Sequence, residues 1–394
     1  MASRMGAALV RWDAVFIGGG LANLLAAYRL KVVRPELRFK VLEQEKLAPP
    51  SHTWSFHESD LTPENWSWFS FLVDQAWDGY EVRFPQYSRQ LRGKYFSIDS
   101  LSFFQRLREK LGDSLVLDVE VESVTRQEVV SLGHRWSTEC VFDGRGWRTS
   151  PQIPCAYQKF LGRRLKFTEP HGVTRPLIMD ARVPQRDGYR FIYCLPWSPD
   201  EMLVEDTRYS ASWEVDVPAF RTEIDRYCEG RGWKIQSSGY EEIGCLPIPL
   251  SGEAPRSQEG AILWGSRAGY FQPTTGYSLP DAVRQAERLT EVRPWTRETV
   301  VAFADSAQQE HWRRGRYLRA LNRMMFFAAT AEDRYEIFQR FYRLPEDLIE
   351  RFYAGRLTFF DQARILSGRP PVPVWPALQS LWKKGVLHEG SSHV

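Results

Sequence analysis

The sequence predicts an α/β chain in three parts: a parallel βαβ fold, an antiparallel sheet inserted into it in pieces, and a helical C-terminal region. Three observations predict it. The opening DAVFIGGGLANLLAAYRL reads as a short apolar strand, a glycine turn and a helix with apolar residues at helical spacing, and ELRFKVLEQE supplies the next strand. Two blocks, Tyr80 to Ile98 and about Cys155 to Pro249, alternate aromatic or apolar with polar residues between turn formers, as antiparallel strands do. Beyond residue 290 the composition turns helical and basic.

Each part can then be placed. The βαβ fold takes 10–79, 99–150 and 255–290, carrying the helix SLSFFQRLREKL, the strand pair around LVLDVEVESV, the strand CVFDGRG and a last strand-turn-helix, AILWGSRAGYFQPTTGYSLPDAVRQAERL. The β-rich domain takes 80–98 and 151–254, and the helical region 291–394. At 394 residues the chain exceeds what one hydrophobic core sustains, so intimately joined domains are expected. The Pro-rich GRPPVPVWP near residue 370 reads as a rigid surface tail.

Composition excludes several classes of function. A formal charge of +3 with no Lys/Arg-rich reading motif argues against nucleic acid. Five cysteines, scattered and without a C-x-x-C, argue against a zinc site and a disulfide framework and fit a reducing compartment. The apolar run Met5 to Val10 lacks a cleavage signature, and no window reaches the ~18 apolar residues of a spanning helix. What stands out is aromatic content: 15 Trp, 16 Tyr and 23 Phe supply flat, polarisable walls.

Gly18, Gly19 and Gly20 allow a tight turn and close approach of backbone to a pyrophosphate, which then meets the positive end of the helix opened by Leu21 and Ala22. Glu43, about 23 residues after Gly20, stands where a ribose-binding acid belongs. Asn23 replaces the third glycine of G-x-G-x-x-G.

FDGRG, with Asp143 and Gly144, and WGSRAGYFQPTTGYS, with Gly265, Ser266, Gly276 and Tyr277, resemble the second and third dinucleotide signatures of the flavoprotein hydroxylase type of fold. That resemblance implies a Rossmann-like FAD-binding domain and a helix beginning near Tyr277 at the flavin's pyrimidine edge, where its dipole favours negative charge. The acid that usually follows the glycine and holds the ribityl chain is here Ser266. Together GGGLAN, HTWSFH, FDGRG, LVEDT, GCLPIP, QPTTGYS and RFYAGRLTFFDQARILSGRPPVP resemble, in order and spacing, the bacterial lycopene β-cyclases of the lycopene cyclase family of flavoproteins. The resemblance implies carotenoid biosynthesis: protonation of the ψ-ends of lycopene, ring closure and proton loss, through γ-carotene to β-carotene, with no net redox change. It also implies reduced FAD, replenished by NAD(P)H.

Alkene protonation needs an acid that stays neutral at working pH, which burial provides by lifting its pKa. The strand MLVEDTRYS holds the candidates. Its period of two puts Leu203, Glu205 and Thr207 on one face and Val204, Asp206 and Arg208 on the other. Arg208 keeps Asp206 ionised, as support or as a structural ion pair, and Glu205 is left as the proton donor. Beside the family's plant motif, Phe-Leu-Glu-Glu-Thr, LVEDT retains the first acid and shortens the second, which again favours Glu205.

Trp54, between His52 and His57, is read as a substrate-pocket wall, with the alternative of a packed loop bearing solvated histidines. Glu241 and Glu242 are read as surface acids before a turn, IGCLPIP, in which Pro247 shapes the backbone. From His311 to Phe360, ten arginines against six acids, interleaved with twelve aromatics, are read as a face for anionic lipid, which places the chain peripherally on the cytoplasmic side of the inner membrane; the alternative is a helical cap. Two rival functions remain: a flavin-dependent hydroxylase or reductase of an isoprenoid, and a non-enzymatic isoprenoid escort. A hydroxylase has no need of LVEDT, and an escort has no need of intact flavin motifs.

Overall fold

The computed structural model describes residues 11–47 and 52–383, so the run Met5 to Val10, the first position of the 10–79 segment and the chain beyond 383 lie outside the described residues. The glycine-turn unit forms as its pattern predicts: strand Arg11–Ile17, helix Leu21–Val33 and strand Phe39–Leu42. Arg11–Ile17 lies at the centre of a sheet, parallel to Phe39–Leu42 on one side and to His134–Asp143 on the other. Leu115–Val116 extends the first edge and Ile262–Leu263 pairs with His134–Asp143, both parallel, while Glu128–Ser131 and Val121–Val124 add an antiparallel corner. Strands in such a sheet bury both faces, which is why Val15, Phe16, Val41, Val141 and Phe142 are all enclosed.

The second sheet orders its strands Ile235–Pro249, Cys155–Phe167, Glu201–Ser210, Tyr189–Ser198, Leu177–Asp180, Tyr80–Phe84 and Tyr87–Leu91. One face packs on the helix Val217–Gly230 through Leu161, Ile192, Met202 and Val204 against Phe220 and Ile224. The other packs Tyr189, Phe191, Leu203 and Tyr209 against Met325, Phe326 and Phe338 of the helical region. The third strand of the 80–98 stretch, Tyr95–Asp99, instead joins Thr53–His57 and Gln75–Trp77 in a small sheet between the two large ones.

After Leu279–Thr290 come helices Arg297–Arg314, Arg316–Ala328, Tyr335–Phe341, Glu346–Tyr353, Phe359–Leu366 and Val374–Ser380. The last of these occupies the Pro-rich segment read as a rigid tail: Pro373 precedes its first turn, a position where a missing N–H costs nothing. Among the described residues no helix is long and apolar enough to cross a membrane.

Candidate active site

The parallel strands end level with one another. Ile17 pairs with Leu42 and with Asp143, and Asp143 with Leu263, so Gly18, Glu43, Gly144 and Gly265 converge at one edge of the sheet. Gly18 turns at φ +94°, and a Cβ there would meet Gly144 O at 3.4 Å. A Cβ on Gly265, at φ +58°, would meet Ala22 Cβ at 2.6 Å. Glu43 is buried, with Oε2 accepting from Gly19 N–H at 2.5 Å and Oε1 from Glu45 N–H at 2.9 Å. The helix Leu21–Val33 starts at Gly20 without a side-chain cap, and a Cβ on Gly20 would meet nothing within 4 Å. Open space before uncapped N–H groups is what a pyrophosphate requires, so these residues fit an FAD.

Asn23 does not loosen this turn. Its amide donates to Ile17 O and Gly18 O, both at 2.8 Å, and Gly144 makes room for it, since a Cβ there would lie 2.4 Å from Nδ2. Asp143 is held by Arg145 at 2.9 Å and Arg267 at 3.3 Å; burial works against its charge, but these arginines hold its carboxyl below the usual range. Gly276 takes φ +72°, and the helix that follows begins at Leu279, two residues beyond the expected Tyr277, because Gln272 Oε1 accepts from the N–H groups of Thr274 and Thr275 and keeps that segment a loop.

The two acids of Glu201–Ser210 part as strand period requires. Asp206 is fully enclosed: Arg190 Nε bonds both its oxygens at 3.0 Å and Arg208 Nη2 adds a bond at 3.0 Å. Arg190 also reaches Glu223 at 3.0 Å on the helix behind. Glu205 faces the other way, on the side of Leu203 and Tyr209, directly across from Tyr193 and Gly162. It is half-buried, accepts from the Thr207 hydroxyl, and has no arginine or lysine ion pair among the described residues. Burial lifts its carboxyl to about 7; the Thr207 bond opposes the lift and the charge of Asp206 adds to it. Four residues on from Glu205, Tyr209 donates to Thr274 O at 3.0 Å, tying this face to the loop ahead of Leu279–Thr290.

Hydroxyls from four segments meet beside Glu205. Tyr193 donates to Ser55 Oγ at 2.9 Å, and Tyr95 Oη lies 2.9 Å from both Tyr193 Oη and Tyr277 Oη. This chain links the neighbour of Glu205 to the loop expected at the flavin.

A family model described as lycopene cyclase protein matches residues 13–379. The lycopene beta-cyclase of Pseudescherichia vulneris is 43% identical over 380 residues, 95% of this chain and 97% of that protein. That of Pantoea ananas is 42% identical over 373 residues, 94% and 98%. The chain belongs to the lycopene cyclase family. Among solved structures, a probable FAD-dependent monooxygenase from Pseudomonas aeruginosa superposes with a TM-score of 0.57 at 15% identity, covering 83% of this chain and 98% of that one. A geranylgeranyl bacteriochlorophyll reductase-like protein from Thermoplasma acidophilum gives 0.58 at 11% identity, covering 91% and 96%. These show that this cyclase-family chain has the flavoprotein hydroxylase type of fold.

Four local readings of the cyclase-family sequence change. Glu242 is no surface acid: it is 3% exposed and its Oε2 accepts from Thr53 N–H at 2.6 Å, whereas Glu241 is paired with Arg221 and Arg163. Burial, then the charge of Glu205, push the Glu242 carboxyl well above its ordinary value, against the Thr53 bond. The IGCLPIP segment is strand up to Pro249, not a turn. Trp54 packs on Phe103 and His52, while Ser55, on the alternate face, is the residue of HTWSFH that reaches Tyr193. His57 is buried, not solvated, among Tyr80, Tyr95 and Tyr353 beside Asp60.

The basic region also reads differently. Arg319 and Arg334 are buried, as are Phe326, Phe338, Tyr342, Phe352 and Tyr353, so these residues pack as part of a helical cap, while Arg313, Arg314, Arg316 and Arg356 are exposed. From the end of this stretch onward, exposed apolar residues include Phe359, Phe360, Leu366, Val374, Trp375, Leu378 and Trp382.

Proposed function

We propose that this chain is a lycopene β-cyclase, an intramolecular lyase among the isomerases, converting ψ-ends to β-rings by proton addition and removal. Glu205 carries the reading: a carboxyl lifted to about 7, on the face of its sheet opposite the Asp206–arginine pairs and without an arginine or lysine ion pair among the described residues, is the neutral acid that protonation of an alkene demands. Its proton passes to the terminal double bond, the neighbouring double bond closes the six-membered ring, and loss of a proton leaves the β-ring. Asp206 supports it by fixing the strand through Arg190 and Arg208. Tyr193, Tyr95 and Tyr277 line the same side, and aromatic faces contribute on the order of 0.5–2 kcal/mol each to a nearby cation.

Gly18, Gly20, Leu21, Ala22, Glu43, Gly144 and Gly265 would hold FAD, with Gly276 and Tyr277 at its ring end and Asp143 and Ser266 beside it. When bound in reduced, anionic form, with NAD(P)H as the reductant, the flavin would supply negative charge to stabilise a cation. Trp54 supports the pocket from behind, through Ser55's strand.

The substrate is a long hydrocarbon, and we place membrane contact at Phe359, Phe360, Trp375, Leu378 and Trp382, at the end of the 311–360 stretch and beyond it, rather than along its whole length. Within 359–383 the exposed charged residues, Arg364, Arg369 and Lys383, are all basic, which suits the anionic cytoplasmic leaflet. The deciding test is anaerobic incubation with lycopene and chemically reduced FAD, without NAD(P)H, followed by pigment separation. Ring formation is expected; a need for dioxygen, or stoichiometric consumption of reductant, overturns the reading in favour of a flavin redox enzyme.

A further inference from the structure

Gly162 stands between two carboxyls. In the three-strand ladder it pairs with Glu205 on one side and Glu242 on the other, so all three share a face, with the acids' Cα atoms about 10 Å apart, two interstrand spacings. Only glycine leaves the side chains room to lean together. A Cβ at this position would lie 2.9 Å from Glu242 Cγ and Oε1 and 3.2 Å from Leu203 Cδ1, which places the Glu242 carboxyl over Gly162, toward the strand of Glu205.

The two adjacent acid pairs of the sheet are sorted alike. Asp206 has Arg190 and Arg208, and Glu241 has Arg221 and Arg163. Glu205 and Glu242 form no arginine or lysine pair among the described residues, and their bonds run to Thr207 and to the Thr53 N–H. Other groups facing them are Tyr193 across from Glu205, Tyr240 on the Thr53 hydroxyl, Asp99, Arg164 bound to Glu201 and, behind the strand, Asp206. None supplies a free positive charge. A buried and a half-buried carboxyl on one face, with no arginine or lysine partner among the described residues, resist ionising together, so they titrate as a unit.

Resting on the reading of Glu205 as proton donor, we propose that Glu242 is its positioning residue: across Gly162 the two carboxyls share one proton. The proton count then closes on the pair. The Glu205 O–H bond breaks as a C–H bond forms on the substrate, leaving two carboxylates side by side. Their repulsion favours recapture: a C–H bond of the ring cation breaks, its electrons form the ring double bond, and the O–H bond is restored.

The test compares the wild type with Glu242→Gln, Glu242→Asp, Gly162→Ala and Glu205→Gln, all loaded with reduced FAD, by pH profile of cyclisation and by infrared bands of protonated carboxyls at pH 8. Glu242→Gln keeps an acceptor for Thr53 and removes the like charge. Its alkaline limb is expected to move at least about one pH unit toward acid, a rate loss of about tenfold per unit above the new limb. KM should be unchanged, the pH 8 carboxyl band should disappear, and Glu242→Asp should recover part of the limb. An unshifted limb in folded, FAD-loaded Glu242→Gln, or equal loss at every pH, overturns the pair. If Glu242→Gln does not fold, Gly162→Ala decides, since its Cβ pushes Glu242 aside; an unshifted profile there also overturns it. A Glu205→Gln variant that still cyclises sinks the acid assignment itself, whereas an inactive one beside a wild-type Glu242→Gln profile sinks only the pair.

Discussion

Replacing Glu205 with Gln is expected to remove activity while making the protein more stable above neutral pH. The shape is kept, and a Gln carbonyl still accepts from the Thr207 hydroxyl. The magnitude follows from the raised carboxyl, which moves from 4.5 to about 7 because burial disfavours its anion. At about 1.4 kcal/mol per unit, that lift corresponds to roughly 3 kcal/mol. Below about pH 4.5 the carboxyl is protonated whether folded or unfolded and costs nothing. Between 4.5 and 7 the unfolded chain releases the proton and the folded one keeps it, so wild-type stability falls; above about 7 the loss is complete. Urea unfolding of wild type and variant at pH 5 and pH 8 measures this, with FAD content and cyclisation followed on the same samples. The variant should gain on wild type by roughly 3 kcal/mol between pH 4.5 and 8, keep its FAD and form no rings. Parallel pH dependences would refute the buried-acid argument, and retained cyclisation would refute the role.

Asp206→Asn leaves the buried Arg208 without a carboxylate partner and Arg190 with Glu223 alone, and is expected to cost about 3–5 kcal/mol in urea unfolding, while molecules that remain folded keep partial activity. Gly265→Ala combines φ +58° with a Cβ 2.6 Å from Ala22, so it should lower bound FAD, read from the absorbance of the purified protein, more than it lowers helix content. Replacing Phe360 and Trp382, 81% and 76% exposed, with Ser should abolish sedimentation with anionic vesicles and leave thermal stability within about 0.5 kcal/mol; retained binding would move the docking face elsewhere.

The parts of the site that lie close together in sequence were legible. Strand period separated Glu205 from Asp206, and the glycine turn, Glu43 and the strand ends converge because parallel strands in register place their ends level. Glu242 was not legible, for two physical reasons. The strand Ile235–Pro249 slips register near Arg163 and Leu165, so its parity cannot be counted from the apolar pattern. Its burial is also made by residues distant in sequence, Thr53 and Gly162, and no local pattern contains them. The hydroxyl chain of Ser55, Tyr95, Tyr193 and Tyr277 is assembled from four segments in the same way. Arg319 misleads differently: its guanidinium is buried over Trp312 and donates to the Trp312 carbonyl, so a basic count over 311–360 overstates the charge presented to solvent.

The acid sheet keeps the arginine network of Asp206 and Glu241 on one side. Behind it, the helix Val217–Gly230 contributes Arg221, Glu223 and Asp225 to a network with Arg163, Arg190, Asp206 and Glu241. In front, the nearby arginine, Arg164, is occupied by Glu201 at 2.6 Å and lies over Trp197. The partition has a direct chemical consequence. A guanidinium within reach of a carboxyl lowers its pKa by about 1–3 units, which is as large as the entire lift that burial gives Glu205. One free arginine on the front face would therefore turn a proton donor into a carboxylate, and the network behind the sheet lets the strand keep two adjacent acids without that happening.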